Sequence, residues 1–432
     1  MATGQGRTGQ VVAWLVLAAS LAACGRAGSP TAARGVSQVE ALATSGRVIV
    51  GWRQPDKASE VLRRLGVRRQ DGPEASGAAG DGPEVVALPR GMDATGFAAA
   101  AADAVAWVEP DRILRLPAAP SGDAEEAGPE AEALARKPAS SRRWWLERIR
   151  AAEAWRRTRG RPGVRIGVVD TGVDPEHPAL REQVVGSWRV NGLLGRLGMA
   201  TARDDNGHGT HCAGVAAGSG EGGLTGVAPG CKLLVVKALD RNGAGATSDI
   251  VRGIRWAVGN GARVLSLSVG GQESSQAMAG AVAEALKAGV VVVAAMGNEG
   301  KELKNYPAAL PGVIAVGATT RQDRPASFST RGPWISVAAP GVDIWATAPT
   351  YAVTMNRGDD APLGIGEGKL SGTSMATPMV AGLAALLVSA HPAWTPAQVK
   401  AAIERSVVPL DDGFNPRTGH GRIDAARALG GI

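Results

Sequence analysis

The chain has 432 residues, 44% of them apolar, enough to bury the core of one large domain plus a small one and too apolar for a disordered polymer. Its 47 Lys and Arg against 40 Asp and Glu leave a formal charge of +7. The arginines are scattered, with no basic block or aromatic-interleaved stripe, so no nucleic-acid partner is expected.

Residues 11–23 form an apolar run preceded by Arg7, too short to span a bilayer and shaped like the core of an export signal covering 1–23. The run ends Leu21-Ala22-Ala23-Cys24, which resembles the bacterial lipobox. That resemblance implies a lipidated Cys24 holding the protein at the outer face of the cell membrane; an ordinary signal peptide with an incidental Cys24 is the alternative. Residues 24–44, rich in Gly, Ser and Ala, read as a flexible tether.

A small α+β unit is expected over 45–116, with strands at 47–52, 85–88 and 105–108 and helices at 58–65 and 95–104. The Ala, Pro, Glu and Ser-rich stretch 117–142 reads as an exposed linker. From 143 to 432 strands alternate with helices, the pattern of βαβ units around a parallel sheet. Strands are expected at 164–169, 233–239, 263–269, 290–295 and 313–318, helices at 247–258, 274–288 and 374–389. A further helix follows the capping box Thr395-Pro396-Ala397-Gln398.

Three motifs carry chemistry. They are Val168-Val169-Asp170-Thr171-Gly172, Asn206-Gly207-His208-Gly209-Thr210-His211-Cys212 and Gly372-Thr373-Ser374-Met375-Ala376-Thr377-Pro378. A serine hydroxyl is a poor nucleophile at neutral pH; it needs an imidazole to take its proton and a carboxylate to fix the imidazole's tautomer. Asp170 and Asn298 both fall at strand ends, where open parallel sheets place their working crevice. Ser374 opens an apolar helix whose N-terminal amides favour developing negative charge.

In residues as well as order, these motifs resemble the subtilisin-like serine peptidases, the subtilase family. The resemblance implies a three-layer α/β fold with a central parallel sheet, preceded by a small ferredoxin-like propeptide domain that assists folding and inhibits. Asp170, His208 and Ser374 would be its catalytic triad, and Asn298 the oxyanion donor. Gly243, Ala244, Gly245, Ser268, Val269 and Gly270 would be the edges that bind substrate as an added strand, with Glu299 at the rim of the specificity pocket. The expected activity is that of a serine endopeptidase made as a self-processing zymogen, a monomer acting on proteins or peptides, with its own propeptide as inhibitor and self-cleavage between about Arg136 and Arg143. A processing maturase or transferase using the same acyl-enzyme, and an inactive surface scaffold, are the alternatives; a small structural domain is the alternative for 45–116.

Departures from the family pattern are visible. Met379 stands where the family usually carries His, and activity is expected to survive the change. The loop 218–226 lacks the asparagine-rich calcium pattern, so that structural calcium ion is doubtful, and no cofactor is expected for the chemistry; Asp204 and Asp205 are a second, weaker candidate for oxygen ligands, more readily read as solvated loop acids. Cys212 is expected to pack as a small apolar residue beneath the site, with a bridge to Cys231 left open. His177, His211, His391 and His420 are expected to be structural.

Overall fold

The computed structural model describes residues 44–67, 69, 82–118, 142–190, 202–358 and 361–430. The expected export signal, Cys24, nearly all of the expected tether and residues 119–141 of the expected linker lie outside the described residues.

The first part builds as β1 (Thr44–Trp52), α1 (Ala58–Arg64), β2 (Glu84–Ala87), α2 (Ala94–Ala100) and β3 (Val105–Arg115). Strands β2, β1 and β3 are neighbours in that order and antiparallel, and an isolated bridge from Arg69 to Val86 adds a strand position outside β2. This is the split βαβ arrangement of a ferredoxin-like unit. Its core is small: Val48, Val50, Val61, Leu62, Val86, Phe97 and Ala101 with a few neighbours. Asp93 caps α2 by accepting from the Gly96 amide at 2.7 Å.

The remainder contains α3 (Trp144–Arg148), α4 (Ala151–Ala154), β4 (Arg165–Asp170), β5 (Val184–Arg189), α5 (His208–Ala217), β6 (Lys232–Lys237), β7 (Ala244–Ala246), α6 (Thr247–Gly259) and β8 (Ala262–Leu267). There follow α7 (Gln276–Lys287), β9 (Val291–Ala295), β10 (Ile314–Thr319), β11 (Val337–Pro340), β12 (Ile344–Thr347), β13 (Glu367–Leu370), α8 (Thr373–Ala390), α9 (Pro396–Arg405) and α10 (Ala425–Gly430). Seven strands make one parallel sheet in the order β11-β10-β9-β8-β4-β6-β5. Alternation along the strands feeds a core on each face: Ile166, Val168, Leu233 and Val235 join α5 and α8 on one side, while Val169, Leu234 and Val236 join α6 and α7 on the other. All five strands expected in this part are present, each within about two residues at either end. β5, β7 and β11–β13 are additional.

β3 departs most from expectation, running eleven residues to Arg115 instead of ending at 108. The added length has a partner, because residues 113–115 pair antiparallel with β7 across the boundary between the two parts. Two carboxylates on β3 cap helices of the larger part. Glu109 accepts from Ser275 Oγ and the amides of Gln276 and Ala277 at the start of α7, at 2.6, 2.7 and 3.1 Å. Asp111 accepts from the amide and hydroxyl of Ser248 in α6, at 2.9 and 2.8 Å, and pairs with Arg47 at 2.7 Å. Each satisfies helix donors that have no intrahelical partner.

Candidate active site

Asp170 ends β4 fully buried, its carboxylate held by the Thr171 amide at 2.7 Å. His208 opens α5, and its Nδ1 lies 2.8 and 3.0 Å from the two Asp170 oxygens. A ring nitrogen facing a carboxylate donates its proton, which leaves Nε2 free to accept one. The close approach of α5 to β4 depends on Gly209, since a Cβ there would stand 2.2 Å from the Gly172 carbonyl.

Asp204 holds the loop before His208. Its carboxylate accepts from Thr171 Oγ1, the amides of Asn206, Gly207 and Thr210, and Thr210 Oγ1, all at 2.7–3.0 Å. Asp205 meets Lys237 Nζ at 2.6 Å. Asp204 is 1% exposed and its oxygens are occupied by donors, which corrects its reading as a solvated loop acid, while Asp205 is exposed as expected and faces an ammonium.

Ser374 is the second residue of α8. Its helix carries Pro378, which has no N–H to give to the carbonyl four residues earlier, and that carbonyl is Ser374's own. The orphaned oxygen is taken by Ser268 Oγ at 3.0 Å and approached by Cys212 Sγ at 3.4 Å. Cys212 Sγ also lies 3.7 and 4.0 Å from the two His208 ring nitrogens, so one side chain touches both the imidazole and the serine backbone. Burial raises the Cys212 thiol's pKa, which keeps it protonated. Both Cys212 and Cys231 are free, which settles the open question of a bridge. The Ser374 hydroxyl donates a long bond, 3.5 Å, to Ser268 O, a carbonyl it must leave before an imidazole can take its proton.

Asn298 stands beyond the end of β9. Thr373 pins its orientation by donating to Oδ1 from its amide and hydroxyl at 3.0 and 2.9 Å, which turns Nδ2 outward. That nitrogen donates to the Ala118 carbonyl at 2.9 Å. Gly372, at φ +147°, makes room, since a Cβ would come within 3.0 Å of Asn298 Nδ2.

The edges expected to hold substrate are occupied by this chain's own residues 113–118. Arg115 exchanges both backbone hydrogen bonds with Gly270, at 3.4 and 3.2 Å, and the Leu116 amide donates to Gly243 O at 2.9 Å. Leu114 lies opposite Gly245 and Arg115 opposite Ala244. Ser268 lends its hydroxyl to the site as described, and Val269 sends its side chain into the core. Glu299 is folded onto Thr330, accepting from its hydroxyl on Oε2 and donating its own amide to that hydroxyl at 3.0 Å.

Burial by itself would lower the His208 pKa, but the facing Asp170 carboxylate overrides it and raises the value well above the ordinary one. His211, one turn on, is pushed down to about 3 by burial and by the His208 charge, with Nε2 bonded to Ile344 O at 2.9 Å. His177 Nδ1 accepts from the Ala179 amide, so its Nε2 donates to Gly366 O. His391 stacks on Trp394, and His420 meets Phe414 edge-on. Met379 is fully buried in the α5–α8 core. Missed from sequence were Thr373, Asp204 and the occupancy of the cleft by 113–118; only Thr373, flanking the serine, lay inside a recognised motif.

The profile of the subtilase family, peptidase S8, matches residues 161–421. The chain belongs to the subtilase family. Over 292 residues it is 39% identical to thermitase of Thermoactinomyces vulgaris, covering 67% of this chain and 96% of that protein. Subtilisin E of Bacillus subtilis is 40% identical over 272 residues, 61% of this chain and 65% of that protein. Among solved structures, fervidolysin from Fervidobacterium pennivorans, a keratinolytic enzyme related to subtilisin, superposes with a TM-score of 0.74 at 27% identity. The match covers 90% of this chain and 61% of that one. This subtilase is accordingly a serine endopeptidase, a reading favoured over the inactive-scaffold and the maturase or transferase alternatives.

Proposed function

We propose that Asp170, His208 and Ser374 are the catalytic triad of this endopeptidase and Asn298 its oxyanion donor. His208 Nε2 takes the Ser374 proton as Oγ attacks the scissile carbonyl. The oxyanion that forms meets Asn298 Nδ2 and the Ser374 amide at the start of α8, and His208 returns the proton to the leaving amine. Water then repeats the cycle on the acyl-enzyme. Substrate enters as a strand between residues 243–245 and 268–270. The single observation that carries the assignment is the buried Asp170–His208 pair, with the imidazole and the Ser374 backbone both against Cys212 Sγ.

Residues 45–116 act in this reading as a propeptide that inhibits by docking on α6 and α7 and filling the cleft. The leader and Cys24 support export and lipid anchorage at the outer membrane face, with a monomeric enzyme and no metal needed for the chemistry. Intact-mass analysis of protein from the membrane fraction tests all of this together. The unmutated chain is expected as two fragments, a lipidated amino-terminal piece and the enzyme freed from it, whereas Ser374→Ala stays full-length, resists a fluorophosphonate and loses about a millionfold in turnover, the scale for removing a triad serine. Full turnover by Ser374→Ala would overturn the assignment.

A further inference from the structure

We infer that the first bond this site cuts is in its own chain and follows Ala118. The inference rests on the triad assignment above and adds the identity of the bond. Three observations converge on it. Residues 113–116 lie as a strand between the two edges, bonded through backbone groups at Arg115 and Leu116, the mode by which extended peptides are recognised. Their side chains seat in order: Leu114 is buried against Gly271 and Leu116 half-buried against Gly243, where an added Cβ on either glycine would come within 2.6 Å of the leucine. And the carbonyl presented to Asn298 Nδ2 is that of Ala118, at 2.9 Å. An oxyanion donor marks the acyl carbon, so the residue whose carbonyl it holds ends the released propeptide.

The step balances without any co-reactant except water. Ser374 Oγ bonds to the Ala118 carbonyl carbon as its proton passes to His208. The carbon–nitrogen bond to Ala119 breaks, and that nitrogen receives the proton from His208 as a new α-amine. Water then hydrolyses the ester, leaving an Ala118 carboxylate and restoring the Ser374 hydroxyl. The expected cut between Arg136 and Arg143 is replaced by one at the near end of the linker, so the linker residues stay on the enzyme. The nearest rival is a slip of one residue. Strict strand alternation beyond Arg115 would turn the Pro117 carbonyl toward the Ser268 edge, placing the cut after Pro117 instead.

Amino-terminal sequencing of the full chain after self-processing separates the cases. The expected mature start is Ala119, absent from Ser374→Ala made in parallel, with Ala119→Pro slowing processing at least tenfold because the leaving nitrogen becomes a tertiary amide. A start at Ala118, or anywhere in 136–143, overturns the inference while leaving the triad in place, as does active enzyme that never cuts itself. A start at Ala119 that persists in Ser374→Ala assigns the cut to another peptidase and overturns it equally. Loss of all hydrolysis of an added protein substrate by the unmutated chain would instead sink the triad reading.

Discussion

The two halves of the molecule solve the problem of burial differently. The catalytic part closes a seven-stranded sheet between two large cores, one of which also takes in Ile49 and Leu114 of the small unit. The small unit has one thin core of Val, Leu and a single Phe and leaves the far end of β3 with edge hydrogen bonds to make. Docking supplies them: β3 joins β7, Glu109 caps α7 and Asp111 caps α6. On the proposed reading of this unit as a propeptide, it is most stable where it inhibits. If the cut follows Ala118, the docked unit loses only its covalent link to the enzyme and keeps every one of those contacts. Should Cys24 be lipidated, the anchor then belongs to the inhibitor, and the enzyme is held at the membrane by the interface alone.

The largest effect on this contrast is expected at Asp111. It is fully buried and bonded to both Ser248 and Arg47, so Asp111→Ala leaves the Arg47 guanidinium buried without its facing carboxylate, a change that typically costs about 3–5 kcal/mol. In the Ser374→Ala chain, where the link stays intact, thermal unfolding of the small unit should separate from that of the catalytic part and fall to lower temperature. A single unchanged transition would show that docking does not depend on this cluster.

Asn298 tests the opposite side of the comparison, because it serves the proposed oxyanion site and meets the docked segment through a hydrogen bond to the Ala118 carbonyl. Asn298→Ala is expected to lower kcat for an added peptide by about a hundred- to a thousandfold with little change in KM. Unfolding of the docked unit should move far less than for Asp111→Ala. Equal effects on both would mean that the Ala118 contact, and not the β3 carboxylates, holds the propeptide.

What could be read in advance divides along the same line. The proposed triad residues sit in short motifs whose glycines and small residues are dictated by close approach, as at Gly209 against Gly172, so their local sequence carries the candidate site. The parallel strands carry continuous apolar runs because both faces are buried. β7, β11, β12 and β13 are three or four residues long and are specified by the partner they meet, which no local window contains. β3 reads as a four-residue strand for the same reason: beyond Val108 it alternates around Glu109 and Asp111, whose burial makes sense only once the ends of α6 and α7 are in place. Asp204 looked like a loop acid because the donors around it come from residues 171 to 210.

The smallest expected effect is a displacement on the pH axis, and it asks whether both halves answer to one titration. His208 must be neutral to accept the Ser374 proton, and Asp170 raises its pKa above the ordinary 6.5. Activity should therefore fall as pH drops through that raised value, with an acid limb in kcat/KM starting above pH 6.5. The linkage has the opposite sign: stability from the charged pair is fully present below the unfolded pKa and lost as pH rises through the folded one. Asp170→Asn removes the carboxylate and leaves burial, which lowers the pKa, opposed only by Cys212. The limb should move to lower pH while turnover drops about ten-thousandfold. If the bond after Ala118 is cut by the same imidazole, self-processing should follow the identical limb in the unmutated chain and shift with it in Asp170→Asn. A processing rate governed by a different limb would place the rate-limiting event in the docking of β3 on α6 and α7, with the small unit and not the triad setting the pace of activation.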